Sequence, residues 1–175
     1  MPKLEVQKPV SVERKVFAKN LKDARVAAGY SLQELAASAK LTYQYISDVE
    51  RCVSNISLLN MCALSHSLKI PVHALLNPLI HKVWDPTDTA AWMAYQQLVD
   101  EAKPAVLEQE LLAKNVRRFR KEAGLTQSEV DKLGFYKTGM TSDIERQCNN
   151  MTLDKMARLA TILSKPLYLI FDPNY

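Results

Sequence analysis

The sequence predicts an all-α protein made of two tandem five-helix units, residues 10–80 and 104–175, joined by a helical connector over residues 81–103. A duplicated stretch, helical periodicity and a low glycine count carry that prediction. The stretch Leu41–Arg51, LTYQYISDVER, is echoed 95 residues on by Tyr136–Arg146, YKTGMTSDIER. In the same ungapped register, Ala18–Pro78 and Ala113–Pro173 are identical at 18 of 61 positions. Unrelated chains of ordinary composition would match at roughly one in fifteen, so duplication is the expected origin. Apolar residues also recur in both halves at three- and four-residue steps, the period of a helix face. Finally, only four glycines occur in 175 residues, few for a sandwich or barrel with many tight turns.

Pro9 and Ser11 mark the start of a helix over residues 10–28. Val12, Val16, Phe17, Leu21 and Ala24 form its apolar stripe, and Gly29 supplies a left-handed cap. Ser31 caps a short second helix, Leu32 to Ala39, with Glu34 completing a capping box. Thr42 caps a third helix from Tyr43 to Arg51, with Ile46 and Val49 turned inward. Ser57 caps a fourth, which carries Leu58, Met61, Ala63, Leu64 and Leu68. Pro71 opens a last short helix through Leu76, and Asn77-Pro78 closes the unit.

The second unit repeats this order. Lys103-Pro104 starts a helix through Leu107, Leu111, Leu112, Val116 and Phe119 to a cap at Gly124. Thr126 and Glu129 form the capping box of the next helix. Thr152 precedes Leu153, Met156, Leu159 and Leu163, and Pro166 leads Leu167–Phe171. Between the units, Asp85-Pro86-Thr87-Asp88 starts a helix over Thr89–Ala102. Its aromatics Trp84, Trp92 and Tyr95 are expected to pack on the units or on a protein partner.

The net charge of +4 is unevenly spread: +2 over 1–17, +2 over 18–78, −4 over 79–112 and +4 over 113–175. Two basic blocks around an acidic connector suit two surfaces that meet a polyanion. The amino-terminal residues lack the apolar core of a signal peptide, and no apolar run is long enough to span a membrane. Cys52, Cys62 and Cys148 are odd in number and far apart, the pattern of a reducing compartment. A cytoplasmic location is therefore expected.

These residues resemble the helix-turn-helix domains of phage repressors and Cro, the xenobiotic-response-element class. The markers are Arg25, Gly29, Ser31-Leu32-Gln33-Glu34-Leu35-Ala36, Thr42 to Ser47, Val49-Glu50-Arg51, and Ser57-Leu58 through Leu76. The resemblance implies two lambda-repressor-like domains that bind double-stranded DNA, with Tyr43–Arg51 as the recognition helix in the major groove. It further implies two buried ion pairs, Arg25 with Glu50 and Arg120 with Glu145. The DNA contacts expected in the first unit are Ser31, Gln33, Lys40, Thr42, Tyr43, Gln44, Tyr45, Ser47 and Asn55. Gln44 suits bidentate contact with adenine, and Asp48 is expected to turn from phosphate or accept from a cytosine amine.

The two copies diverge where reading occurs. Gln127 takes the place of Leu32, Asp131 that of the small Ala36, and Thr141 that of the anchoring Ile46. Gly139 falls inside the expected second recognition helix, where glycine costs roughly 1 kcal/mol against alanine. Gln127, Lys137, Thr138, Ser142 and Asn150 are the contacts expected from this copy. Lys114, Arg117, Arg118 and Lys121, with Lys132 and Lys137 near the turn, suit phosphates rather than bases.

Nothing in the sequence points to catalysis: there is no nucleophile motif, phosphate-binding glycine loop or carboxylate pair. Cys62 and His66 stand one turn apart, but Cys62 lies on an apolar face, so a buried thiol is expected and no metal or cofactor. The expected function is sequence-specific transcriptional regulation, as a repressor and as a homodimer or an intrachain pseudo-dimer. The alternative is an antitoxin-like or anti-activator protein that uses the scaffold to grip another protein.

Overall fold

The computed structural model describes residues 10–80, 93, 97 and 104–175. The connector's Trp84, Trp92 and Tyr95 lie outside the described residues. Among the described residues, ten named helices form in two runs of five. The first run is α1 (Val12–Ala27), α2 (Leu32–Ala39), α3 (Tyr43–Glu50), α4 (Leu58–Leu68) and α5 (Val72–Leu75). The second is α6 (Pro104–Glu122), α7 (Gln127–Leu133), α8 (Met140–Glu145), α9 (Leu153–Ile162) and α10 (Leu167–Ile170).

Local chemistry explains most boundaries. The side chains of Ser11, Ser31, Thr42 and Ser57 each accept from the backbone N–H three residues on, filling a donor that a helix start leaves open. Ser31–Glu34 and Thr126–Glu129 form complete, reciprocal capping boxes. These bonds hold both glutamates below the ordinary carboxylate range. Left-handed residues also recur at the same places: Lys40 and Phe135, Cys52 and Gln147, Lys69 and Ser164.

Each half closes with a buried asparagine. Asn20 donates from Nδ2 to the carbonyls of Leu75 (3.0 Å) and Asn77 (2.9 Å). Asn115, 95 residues on, donates to that of Ile170 at 3.0 Å. Both latches tie the first helix of a run to the end of its fifth. The recurrence of an identical Asn on an apolar stripe was a signal for this role that sequence reasoning passed over.

The halves meet along a reciprocal junction. Ser57 and Thr152, equivalent residues, form an isolated antiparallel bridge. Leu58 N–H donates to Met151 O at 2.8 Å, and Leu153 N–H donates to Ile56 O at 2.8 Å. Asn150 Oδ1 accepts from Leu59 N–H at 3.1 Å, and Asn55 Oδ1 accepts from Asp154 N–H at 3.3 Å. Every bond thus has a partner obtained by exchanging the halves, the signature of an isologous contact. The short helices α5 and α10 pack on one another, α1 packs on α9, and α4 on α6. Arg14 and Ser11 add side-chain bonds to Asp154 at 3.3 and 2.9 Å. Buried apolar residues of both halves form one continuous core cluster.

Phe135 is the least comfortable residue in this scheme. It ends α7 at φ 52 with its ring 88% exposed, so the side chain adds little packing to offset the left-handed backbone. Phe135→Gly is expected to stabilise the protein by about 1 kcal/mol, read as a higher urea midpoint. A lower midpoint would mean that the ring supports the fold.

Candidate nucleic-acid interface

The candidate interface is built on α2 and α3, held by the buried pair beneath them. Arg25 donates from Nε to Glu50 Oε1 at 2.7 Å and from Nη2 to Oε2 at 3.0 Å. Its remaining nitrogen, Nη1, donates to Tyr30 O at 2.9 Å, across the α1–α2 turn. One guanidinium therefore locks the end of α1, the following turn and the end of α3. Arg120 repeats this with Glu145 (2.6 and 3.1 Å) and Leu125 O (2.8 Å). Hydrogen bonding to the carboxylates raises both guanidinium pKa values. Burial pushes the Glu145 carboxyl up, but bonds from Arg120 and Gln127 outweigh it and hold the group below its usual range.

With α3 anchored by buried Ile46 and Val49, its opposite face is presented to solvent. Ser31, Gln33, Lys40, Thr42 and Gln44 are exposed, and Tyr43 retains 53% of its surface. Ser47 is half-buried. Tyr45 is half-buried as well, packed against the core with its hydroxyl accepting from Asn60 Nδ2 at 3.0 Å. Asp48 accepts from Gln44 Nε2 at 3.2 Å and from Arg51 Nη2 at 2.5 Å. Asp48 thereby orients the amide of Gln44 and keeps Arg51 at the helix end.

The second half departs from expectation at the start of α8. Gly139 is not inside a helix: it is the N-cap of α8, at φ 87. The helix consequently starts two positions later than its counterpart and has six residues where α3 has eight. An interior-glycine penalty therefore does not apply. The residues that replaced Ala36 and Ile46 meet here. Asp131, 5% exposed, accepts from Gly139 N–H (2.8 Å) and Thr141 N–H (2.8 Å), and from the hydroxyl of fully buried Thr141 (2.5 Å). Lys137 stands where Thr42 caps α3 and has no oxygen to offer. A carboxylate from α7 has taken over the capping role.

The remaining second-copy residues divide by role. Lys137 and Thr138 are exposed, and Ser142 is half-buried. Gln127 is already engaged, its Nε2 donating to Glu145 Oε2 at 2.9 Å. Asn55 and Asn150 are exposed, yet their amide oxygens serve the junction between halves. Lys114, Arg117, Lys121 and Lys132 are exposed, but Arg118 is not a free cation as expected. Its guanidinium lies 4.7 Å from the Phe119 ring centre and 5.1 Å from that of Tyr175, with Glu122 3.5 Å away.

Among the described residues, no group of three or more His, Cys, Asp or Glu could hold a metal ion. Burial pushes the Cys62 thiol pKa far up, as does nearby Glu108, which leaves it a poor nucleophile and ligand. No described helix is long and apolar enough to cross a membrane.

A family model described as Helix-turn-helix matches residues 21–75, which run from α1 to the end of α5. None of the curated proteins matches the chain. Among solved structures, the restriction-modification controller protein C.AhdI from Aeromonas hydrophila is 31% identical, with 38% of this chain and 100% of that one covered, at a TM-score of 0.36. The hypothetical transcription factor NHTF from Neisseria is 33% identical over 46% of this chain and 97% of its own, at a TM-score of 0.39. The clp gene regulator ClgR from Corynebacterium glutamicum is 22% identical over 55% and 99%, at a TM-score of 0.38. Through residues 21–75 the chain belongs to the Cro/repressor-type helix-turn-helix family, whose members are DNA-binding transcription regulators.

Proposed function

We propose that this protein is a sequence-specific transcriptional repressor that reads the major groove with the amino-terminal turns of α3. The second copy adds backbone contacts and an altered readout. The observation that carries this reading is the combination at α3. Its inner face is locked by Arg25–Glu50, while Tyr43 and Gln44 stand exposed at its entering end. A rigid helix with an exposed amide and phenol at its start is what base reading needs: little side-chain ordering remains to be done on binding. Asp48 adds to this by orienting the Gln44 amide. Lys40 near the start of α3, and Lys137 and Lys132 near that of α8, supply charge for phosphates.

Gln44→Ala should weaken preference at one base position by about 1–3 kcal/mol while leaving non-specific binding unchanged. Competition titrations against single-base operator variants at fixed salt read this directly. Unchanged preference in Gln44→Ala, with loss in Thr138→Ala, would place base reading in the second copy. Exposed Leu133 and Phe135 favour a second reading, an antitoxin-like protein that grips a partner through the second copy. Binding to chromosomal fragments that shows neither sequence preference nor steep salt dependence would favour it.

A further inference from the structure

We infer that one chain is a complete DNA-reading unit whose target is a bipartite site with two dissimilar halves, bound without a second copy of the protein. The inference rests on the DNA-binding reading above and goes further in specifying the form of the target.

The argument starts from the junction. Its reciprocal bonds, Leu58 N–H to Met151 O and Leu153 N–H to Ile56 O, relate the halves by a local two-fold rather than by simple translation. Two self-paired contacts lie on that axis, the Ser57–Thr152 bridge and the packing of α5 on α10. Within the first half, α5 packs on α1 and α4, while α3 packs on α1 and α2. The chain passes from the end of α3 to the axial Ser57 within seven residues. A two-fold carries each residue to its counterpart at the same height on the axis. The entering ends of α3 and α8 therefore lie at one level, on opposite sides of the bridge. This is how two recognition helices are offered to successive stretches of one duplex, with half-sites about 34 Å apart or a multiple of that.

The same junction leaves little for a second chain to use in the same way. Both starts of the fourth-helix position, α4 and α9, and both terminal short helices are turned toward the other half. Asn55 and Asn150 fill each other's open helix-start donors. The homodimer expected from the sequence has its counterpart inside one chain.

A homodimer presents two identical readers and so selects an inverted repeat. Here the readers differ at the positions that matter. Tyr43 is matched by Thr138, and Gln44 by Gly139, which has no side chain and sits in the cap rather than in the helix. Tyr45 is matched by Met140, which is 3% exposed. A base pair recognised by Gln44 has no reader at the equivalent place in the other half-site. The second half-site must instead be held through Lys137, Thr138 and the phosphates, with weaker or different base preference.

Selection of bound duplexes from a random library by the full-length protein tests this, with footprinting and light scattering of the selected complex. The expected result is one 19.8-kDa chain per duplex, a footprint over two half-sites, and strong base preference confined to one of them. Gln44→Ala should then relax preference at one base position, and in that half alone. An inverted repeat of equal halves, two chains per duplex, or a footprint limited to one half-site would each overturn the inference while leaving DNA recognition intact. Enrichment of no sequence would instead remove the DNA-binding reading on which it rests.

Discussion

Asp131→Ala should cost about 3 kcal/mol or more of stability, and Thr141→Ile should recover part of that loss when the two are combined. Asp131 accepts three hydrogen bonds, from Gly139 N–H, Thr141 N–H and the Thr141 hydroxyl. Thr141 is fully buried, and each buried donor left without an acceptor costs about 1–3 kcal/mol. Alanine would also leave the start of α8 uncapped, since Lys137 cannot accept. Thr141→Ile alone is expected to destabilise, because it takes one donor from a buried carboxylate and adds volume beside it. In the double variant the pair becomes Ala with Ile, the combination that Ala36 and Ile46 form in the first half. A double-mutant cycle by urea denaturation should therefore show coupling of at least about 1 kcal/mol. Additive losses would mean that the two positions do not act together.

The coupling has a further consequence, because the same carboxylate sets where α8 begins. Releasing Gly139 N–H frees the turn that presents Lys137 and Thr138. Asp131→Ala should thus weaken DNA binding by the second half more than that by the first. Tyr136 braces the same turn from the other side, its hydroxyl donating to Lys155 O at 2.8 Å, with burial pushing its pKa up to about 12. The ring also takes the space that a Cβ on Gly134 would need. The start of α8 is therefore a rebuilt turn with its own supports.

This contrast explains what the sequence reveals and what it hides. Helix starts were legible because capping is local: Ser31 with Glu34 and Thr126 with Glu129 announce themselves within four residues. The ion pairs were legible through the family resemblance, and Arg25–Glu50 and Arg120–Glu145 repeat at equal spacing. Gly139 was misplaced for the opposite reason. Its left-handed cap depends on Asp131, eight residues back on another helix, and a propensity argument sees only an unfavourable glycine. Asp131 and Thr141 each looked like damage to a core position, whereas together they are a satisfied polar pair. Asn55 and Asn150 were expected as DNA contacts, each standing just before a fourth helix. Their amide oxygens do serve helix starts, but those of the other half, a relation that exists only once the two-fold forms. Gln127 looked available by position, yet it is spent on Glu145.

Removing Glu145 should be the most damaging single change in the second half, with an expected loss of about 3–5 kcal/mol for Glu145→Ala. Its side chain is 6% exposed and that of Arg120 is 12% exposed, so the variant strands a guanidinium where water barely reaches. Gln127 loses its acceptor in the same step. Glu50→Ala in the first half should cost somewhat less, since Leu32 stands in the place of Gln127 and no second donor is orphaned. Arg120→Leu combined with Glu145→Leu should recover most of the loss, because a buried ion pair and an apolar pair of similar size differ little in net stability. The pH dependence follows from the sign of the shift. The folded-state pKa of Glu145 lies below its ordinary value of 4.5, so the stabilisation it brings is complete above that value. It is lost as pH falls from there through the lower folded-state pKa. In Glu145→Gln this part of the acid dependence should disappear, and the stability of wild type and variant should converge on acidification. If the gap between them stays constant from neutral pH down through that window, folding does not lower the Glu145 pKa and the charge of the carboxylate adds nothing to the Arg120 clamp.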